Sequence, residues 1–228
     1  MPAQCLPCFN SSLIEKFLYK IPDLSEHFLY ANDDMYMNKT VTANDFFTQE
    51  GYPIVRLTRK PFRRLRWLWR EKVQKKPLKN YSKTIAYASR LINEKYGVYY
   101  TGMPHHNIDA YLKSSCRHTA EVVMRDEFIA NHKNRMRSND DIERIVFSYA
   151  DLAEKHGQLC YVTQRESMLV KIHKKRHYER LDKYSPLLFC MNDSEYATDD
   201  DRQMAKAYLE RRFPKKSSVE KWFIRYFE

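Results

Sequence analysis

Asp33 and Asp34 are adjacent carboxylates standing where the apolar run Phe28-Leu29-Tyr30-Ala31 ends on Asn32. Two neighbouring negative charges cost repulsion and desolvation unless a metal ion, a Lys or an Arg sits beside them. Cation chemistry is therefore the first expectation for this stretch, and the plain alternative is that one carboxylate caps a turn. The arrangement returns near the other end of the chain, where the apolar residues 187–191 run into Asn192 and Asp193. Between the two lies the pair His105-His106. A neutral imidazole accepts a proton near pH 7, so either could serve as a general base; the alternative is a packed or surface histidine.

These groups can act together only if the fold brings them to one place. Residues 28–31 and 187–191 read as buried strands, so both Asn-Asp pairs fall at the carboxyl ends of strands, where α/β sheets collect ligands. A helix is expected over 11–21, because Leu13, Ile14, Phe17, Leu18 and Ile21 recur at three- and four-residue steps before Pro22. Residues 52–57 form a second expected strand, and 82–96 a helix stopped by Gly97. An extended stretch follows over 98–101, then helical patterns over 109–133 and 140–155. Residues 158–164 and 167–173 are β-like and suggest a hairpin around 165–167. A last helix opens at Thr198, where Asp199, Asp200 and Asp201 suit the positive end of the helix dipole, and it buries Met204, Ala205, Tyr208 and Leu209 before Pro214. The alternation predicts an α/β fold, with a Rossmann-like or GT-A-like central sheet flanked by helices and a helix-rich insert in the middle. A single domain over 1–228 is the simplest organisation.

Composition narrows the function. Of 228 residues 43% are hydrophobic and only four are glycine, enough for a sizeable core. Forty Lys and Arg against 29 acids leave a net charge of +11, which suits a polyanion, an anionic membrane surface or phosphorylated substrates. No apolar run reaches the roughly 18 to 20 residues of a spanning helix and no secretory leader is evident, so a cytoplasmic protein is expected. Five cysteines, an odd number, fit a reducing compartment. Cys5 and Cys8 form a C-x-x-C with no second pair to complete a zinc motif. Zinc-finger spacing, RNA-binding aromatic motifs and heptads are all lacking, so no nucleic-acid partner is expected.

Three blocks carry a family resemblance. "LPCFNSSLIEKFLYKIPDLSEHFLYANDDMYM" closely resembles the second conserved region of the Stealth family, "TGMPHHNIDAYL" its third and "LFCMNDSEYATDDDRQMAKAYLERRFP" its fourth, in the family's order. The first conserved region is missing, which suggests a chain incomplete at its N-terminus. Stealth proteins are hexose-1-phosphotransferases of bacterial capsule synthesis, related to the catalytic subunit of the lysosomal-enzyme N-acetylglucosamine-1-phosphotransferase. The resemblance therefore implies transfer of a sugar 1-phosphate from a nucleotide sugar, typically UDP-linked, to a hydroxyl of a saccharide or lipid-linked saccharide acceptor. It also implies Mg²⁺ or Mn²⁺, with Asp33 and Asp34 as the metal or donor-site carboxylates and Asn32 as their hydrogen-bonding neighbour. Asn10, Ser11 and Glu15 match the family's F-N-S-x-x-I-E pattern and would meet substrate, although a Ser cap with a solvent-facing Glu gives the same pattern. Arg137 resembles a phosphate-clamping arginine, with Asp140 and Asp141 beside it. Asn192 and Asp193 would bind donor or acceptor. The family commonly places a His just before the Met-Pro pair, where this chain has Gly102, and His105 and His106 follow instead. A metal-dependent glycosyltransferase and a non-catalytic remnant of the fold are the competing readings.

Residues 59–76 stand apart. Phe62, Leu65, Leu68 and Trp69 recur at helical steps among nine Lys and Arg residues, the pattern of a basic amphipathic helix at the inner face of an anionic membrane. The alternative is a helix packing its aromatic side on the core.

Overall fold

A computed structural model describes residues 1–215, so the last thirteen positions of the expected domain lie outside the described residues. The strands are β1 (His27–Tyr30), β2 (Met35–Met37), β3 (Ile54–Thr58), β4 (Met103–Pro104), β5 (Asp109–Leu112), β6 (Gln158–Tyr161), β7 (Ser167–Lys171) and β8 (Leu188–Asn192). The helices are α1 (Ser11–Glu15), α2 (Arg63–Lys72), α3 (Asn80–Tyr96), α4 (Lys113–His118), α5 (Arg125–Ala130), α6 (Ile145–Ala153), α7 (Lys175–Tyr184) and α8 (Asp199–Arg212). This is the expected α/β content, with five of the helices filling the middle of the chain. The sheet is divided in three: β1 pairs with β5, β8 lies between β2 and β7, and β3 lies between β4 and β6.

The division follows from which faces are apolar. Ile85, Ala88, Leu91 and Ile92 of α3 pack with Val146, Phe147, Tyr149 and Ala150 of α6 and with Val55 and Leu57 of β3 in the largest core. A second core lies between β7, β8 and the helices α7 and α8. A third, smaller cluster joins Met35, Phe46, Ile108, Ala110, Leu188 and Cys190. Local signals end the helices as the chemistry demands. Gly97 takes φ 72°, the left-handed cap that only glycine adopts freely, and Thr198 with Asp201 closes a reciprocal capping box at the start of α8. Among the described residues no helix is long and apolar enough to cross a membrane.

Several elements differ from expectation. The helix over 11–21 breaks after Glu15, because Lys16 turns inward to hydrogen-bond Asn131 and to lie over the Phe128 ring, and a short 3-10 turn follows at Leu18–Lys20. Residues Asp109 to Leu112 form a strand, since pairing with β1 overrides their helical pattern; helix begins only at Lys113. Helix α6 starts at Ile145 because the preceding residues turn around the buried Asp141, and extended pairing comes at Met103 rather than over 98–101. No hairpin forms around 165–167: β6 runs parallel to β3 and β7 parallel to β8, so the short connection carries the chain from one sheet to another.

Candidate functional site

The turn Asn32-Asp33-Asp34 is where the chain changes sheets. Strand β1 pairs antiparallel with β5, setting Tyr30 opposite Asp109, and β2 pairs antiparallel with β8, setting Met35 opposite Cys190. The apolar run stops on polar residues because the turn between the two ladders is open to solvent. Asp34 is fixed there by its own backbone, whose carbonyl accepts the Met191 N–H at 2.8 Å. Its carboxylate Oδ2 accepts from the buried Cys190 thiol at 3.0 Å, and Oδ1 is buried with no hydrogen-bond partner. Burial, and then the Asp34 carboxylate, push the Cys190 thiol far up from its usual range. His106 completes the group: ligand atoms of Asp34, His106 and Cys190 all lie within 4.8 Å of one another. An unpartnered buried carboxylate oxygen beside an imidazole and a sulfur is a donor set that could hold a divalent metal ion. Asp33 is exposed and outside this group.

Beside the turn opens a cleft of about 460 Å³ lined by Ser11, Glu15, Asn32, His106, Asp109 and Arg137, among others. Arg137 donates to Ser11 Oγ at 2.7 Å, although 126 residues separate them. The floor is a charge network around Arg144, a residue the sequence did not single out. Its guanidinium donates to Glu15 Oε2 at 3.0 Å, to Asp109 Oδ2 at 2.9 Å and to the Tyr111 hydroxyl at 2.8 Å. Its face also lies 3.8 Å from the Tyr30 ring centroid, so every edge of the cation is engaged. Tyr30 in turn donates to Glu15 or to Asn32 Oδ1, each 2.9 Å away. Glu143, on the same wall, accepts from Ser12 and Thr84, and burial raises its carboxyl above the usual range.

The two histidines separate cleanly. His105 is buried with both ring nitrogens engaged: Nε2 donates to Asp109 Oδ1 at 3.0 Å, and Nδ1 lies 2.9 Å from Ser167 Oγ. Asn107 donates to the same hydroxyl, so Ser167 is held against the His105 ring. Burial alone would push the Asp109 carboxyl up, but bonds from His105 and Arg144 hold it below its usual range. His106 is exposed, at φ 56°, and reaches the cleft. Gly102, just before Met103-Pro104, lies tight against Leu57. A Cβ there would lie 2.7 Å from Leu57 Cδ1 and 2.8 Å from Leu57 Cβ, so a side chain at this position would have to displace Leu57 where β4 packs on β3.

Other expected site residues stand apart from the cleft. Asn10 is fully buried, caps α1 through the Ser12 N–H and donates to the Asn134 carbonyl and to Asp141 Oδ1; Asp140 and Asp141 both accept from Asn134. Asp193 is exposed and paired with Arg202 at 2.9 Å. Asn192 ends β8 two residues after Cys190, hence on the same face of the strand.

Residues 1–55 match the model for Stealth protein CR2, conserved region 2. The chain belongs to the Stealth family. It is 30% identical over 199 residues to a capsular polysaccharide phosphotransferase of Neisseria meningitidis serogroup B, covering 84% of this chain and 52% of that protein. It is 29% identical over 208 residues to the capsular polysaccharide phosphotransferase cps12A of Actinobacillus pleuropneumoniae, covering 86% of this chain and 53% of that one. Over 53 residues it is 57% identical to the exopolysaccharide phosphotransferase cps2G of Lactiplantibacillus plantarum, covering 23% of this chain and 16% of that one. The chain thus spans about half the length of the capsular relatives it matches.

Proposed function

We propose that this Stealth chain takes part in transferring a sugar 1-phosphate from a nucleotide sugar, UDP-linked by the family resemblance, to a hydroxyl of an acceptor saccharide in capsular or exopolysaccharide synthesis. The observation that carries the reading is convergence: Ser11, Asn32, His106 and Arg137, drawn from distant parts of the chain, line one cleft beside Asp34. In this reading His106 is the base, because His105 is buried with both ring nitrogens engaged by Asp109 and Ser167. Arg137 faces phosphoryl oxygens. Asp34, with Asp33 next to it, meets the cation that accompanies the diphosphate, Mg²⁺ or Mn²⁺ by resemblance. Ser11, Glu15 and Asn32 meet sugar hydroxyls, and Asn192 and Asp193 belong to the acceptor side. The acceptor oxygen attacks the sugar-proximal phosphorus, the bond from that phosphorus to UMP breaks, and the acceptor proton passes to His106.

Bond specificity tests this. With a donor labelled in its sugar-proximal phosphate, label is expected in the saccharide product as a phosphodiester, with UMP released. Label found only in released UDP would identify a glycosyltransferase instead, and absence of both products would favour a remnant of the fold.

The proposed partners include an anionic membrane. Helix α2 turns Phe62, Leu65, Trp69 and Val73 away from the protein, at 71%, 63%, 53% and 64% exposure, while Arg63 is buried against Ser89 and the Trp67 ring. Arg64, Arg66, Arg70, Lys72, Lys75 and Lys76 flank that stripe, so one side offers apolar insertion and its borders offer charge. Sedimentation with vesicles containing phosphatidylglycerol is expected, weakened by salt and abolished by Leu65→Asp with Trp69→Asp. Equal binding of that double variant would exclude α2 as the contact.

A further inference from the structure

Cys190 has no part in the transfer chemistry, yet its sulfur lies against the carboxylate that does. We propose that Asp34, His106 and Cys190 form a binding site for a zinc-class transition-metal ion, and that its binding arrests transfer by taking both Asp34 and His106. The inference deepens the proposed function at the same carboxylate and rests on that reading only for the arrest, not for the binding.

The donors carry the argument. Their ligand atoms already lie within 4.8 Å of one another. Four-coordinate zinc, with bonds of roughly 2.0 to 2.3 Å, needs neighbouring donors about 3.3 to 3.8 Å apart. Closing that gap takes a shift of about an ångström, which the exposed His106 can supply while Cys190 stays on β8 and Asp34 stays in its turn, its carbonyl bonded to the Met191 N–H. One carboxylate oxygen is buried and unpartnered, so a cation there removes a desolvation cost rather than a hydrogen bond. A carboxylate and a thiolate together balance a dication and leave the site neutral, with a fourth position open to water. Binding forms the metal–sulfur bond as the thiol proton leaves to solvent, without any redox change. Sulfur and imidazole nitrogen are poor ligands for Mg²⁺, which prefers an all-oxygen octahedron, so the same three residues discriminate against it.

The test uses cobalt(II) as the probe, added to the reduced protein without any sugar nucleotide. A thiolate-to-cobalt absorption band in the near ultraviolet is expected, displaced by Zn²⁺ and untouched by a large excess of Mg²⁺. Cys190→Ser should remove the band while a thermal melt shows the fold intact, and His106→Ala should weaken cobalt binding by about tenfold or more. A band that persists in Cys190→Ser, as thiolates of Cys5 and Cys8 would give, overturns the proposal. So does unchanged affinity in His106→Ala, which alone decides the matter if Cys190→Ser does not fold, because His106 is exposed and carries no part of the core. Where transfer is measured, Zn²⁺ should stop it and a chelator restore it. A cobalt band in a protein that transfers nothing would leave the site standing and sink the transferase reading.

Discussion

Asp34→Asn is expected to lower kcat/KM for sugar-phosphate transfer by about 10³-fold, roughly 4 kcal/mol of lost transition-state stabilisation, with the melting temperature nearly unchanged. The substitution keeps the shape of the side chain and removes its charge. Its structural bonds survive: the Asp34 carbonyl still accepts from Met191, and the retained amide oxygen can still accept from Cys190. What is lost is the negative field at a buried oxygen that no protein group satisfies. An unpaired buried carboxylate oxygen calls for a partner, and a bound cation is one that would supply it. Steady-state kinetics with saturating metal and donor, set beside a thermal melt, separates the two effects. Activity within tenfold of the parent would remove Asp34 from the chemistry, and an equal loss of stability and activity would make it a structural residue.

The polar turn from Asn32 to Asp34 was legible in the sequence because its signal is local: an apolar run that stops on three polar residues ends its strand there. The cap of α8 and the stop of α3 were legible for the same reason, since Thr198 with Asp201 and Gly97 act through bonds within four residues. What could not be read depends on distant partners. Asp109 to Leu112 continue a helical pattern by type, and only β1, some eighty positions earlier, makes them a strand. The choice between His105 and His106 rests on Ser167 and Asp109, and nothing in two adjacent imidazoles says which is buried. Cys190 looked like one more apolar strand residue. Its one available signal was the two-residue spacing to Asn192, which puts both on one face of β8. For α2 the pattern gave the amphipathic stripe but not its direction, because a stripe facing core and a stripe facing outward have the same period.

Arg144 is the largest omission, and it is expected to be the cation on which the floor of the cleft depends. In sequence it is one more Arg in an acidic and basic stretch; in the fold it lies between Glu15 and Asp109 with only 14% of its side chain exposed. Arg144→Met should cost about 3 to 5 kcal/mol, a fall in melting temperature of roughly 10 °C, because it leaves two buried carboxylates facing each other without a counter-charge. Arg144→Lys should recover only part of this, since a single ammonium cannot reach Glu15, Asp109 and Tyr111 in one plane. Adding Glu15→Gln to Arg144→Met should restore stability relative to the single variant, because the penalty lies in the unpaired charge rather than in the missing bonds. That rescue separates the electrostatic account from a packing account, in which the Met variant loses stability through the stacked contact with Tyr30 and a neutral Glu15 gains nothing. Thermal melts of the three variants decide it. A loss under about 1 kcal/mol in Arg144→Met would show that the carboxylates find solvent or protons without the arginine, and the cleft floor would then have to be held by its strands alone.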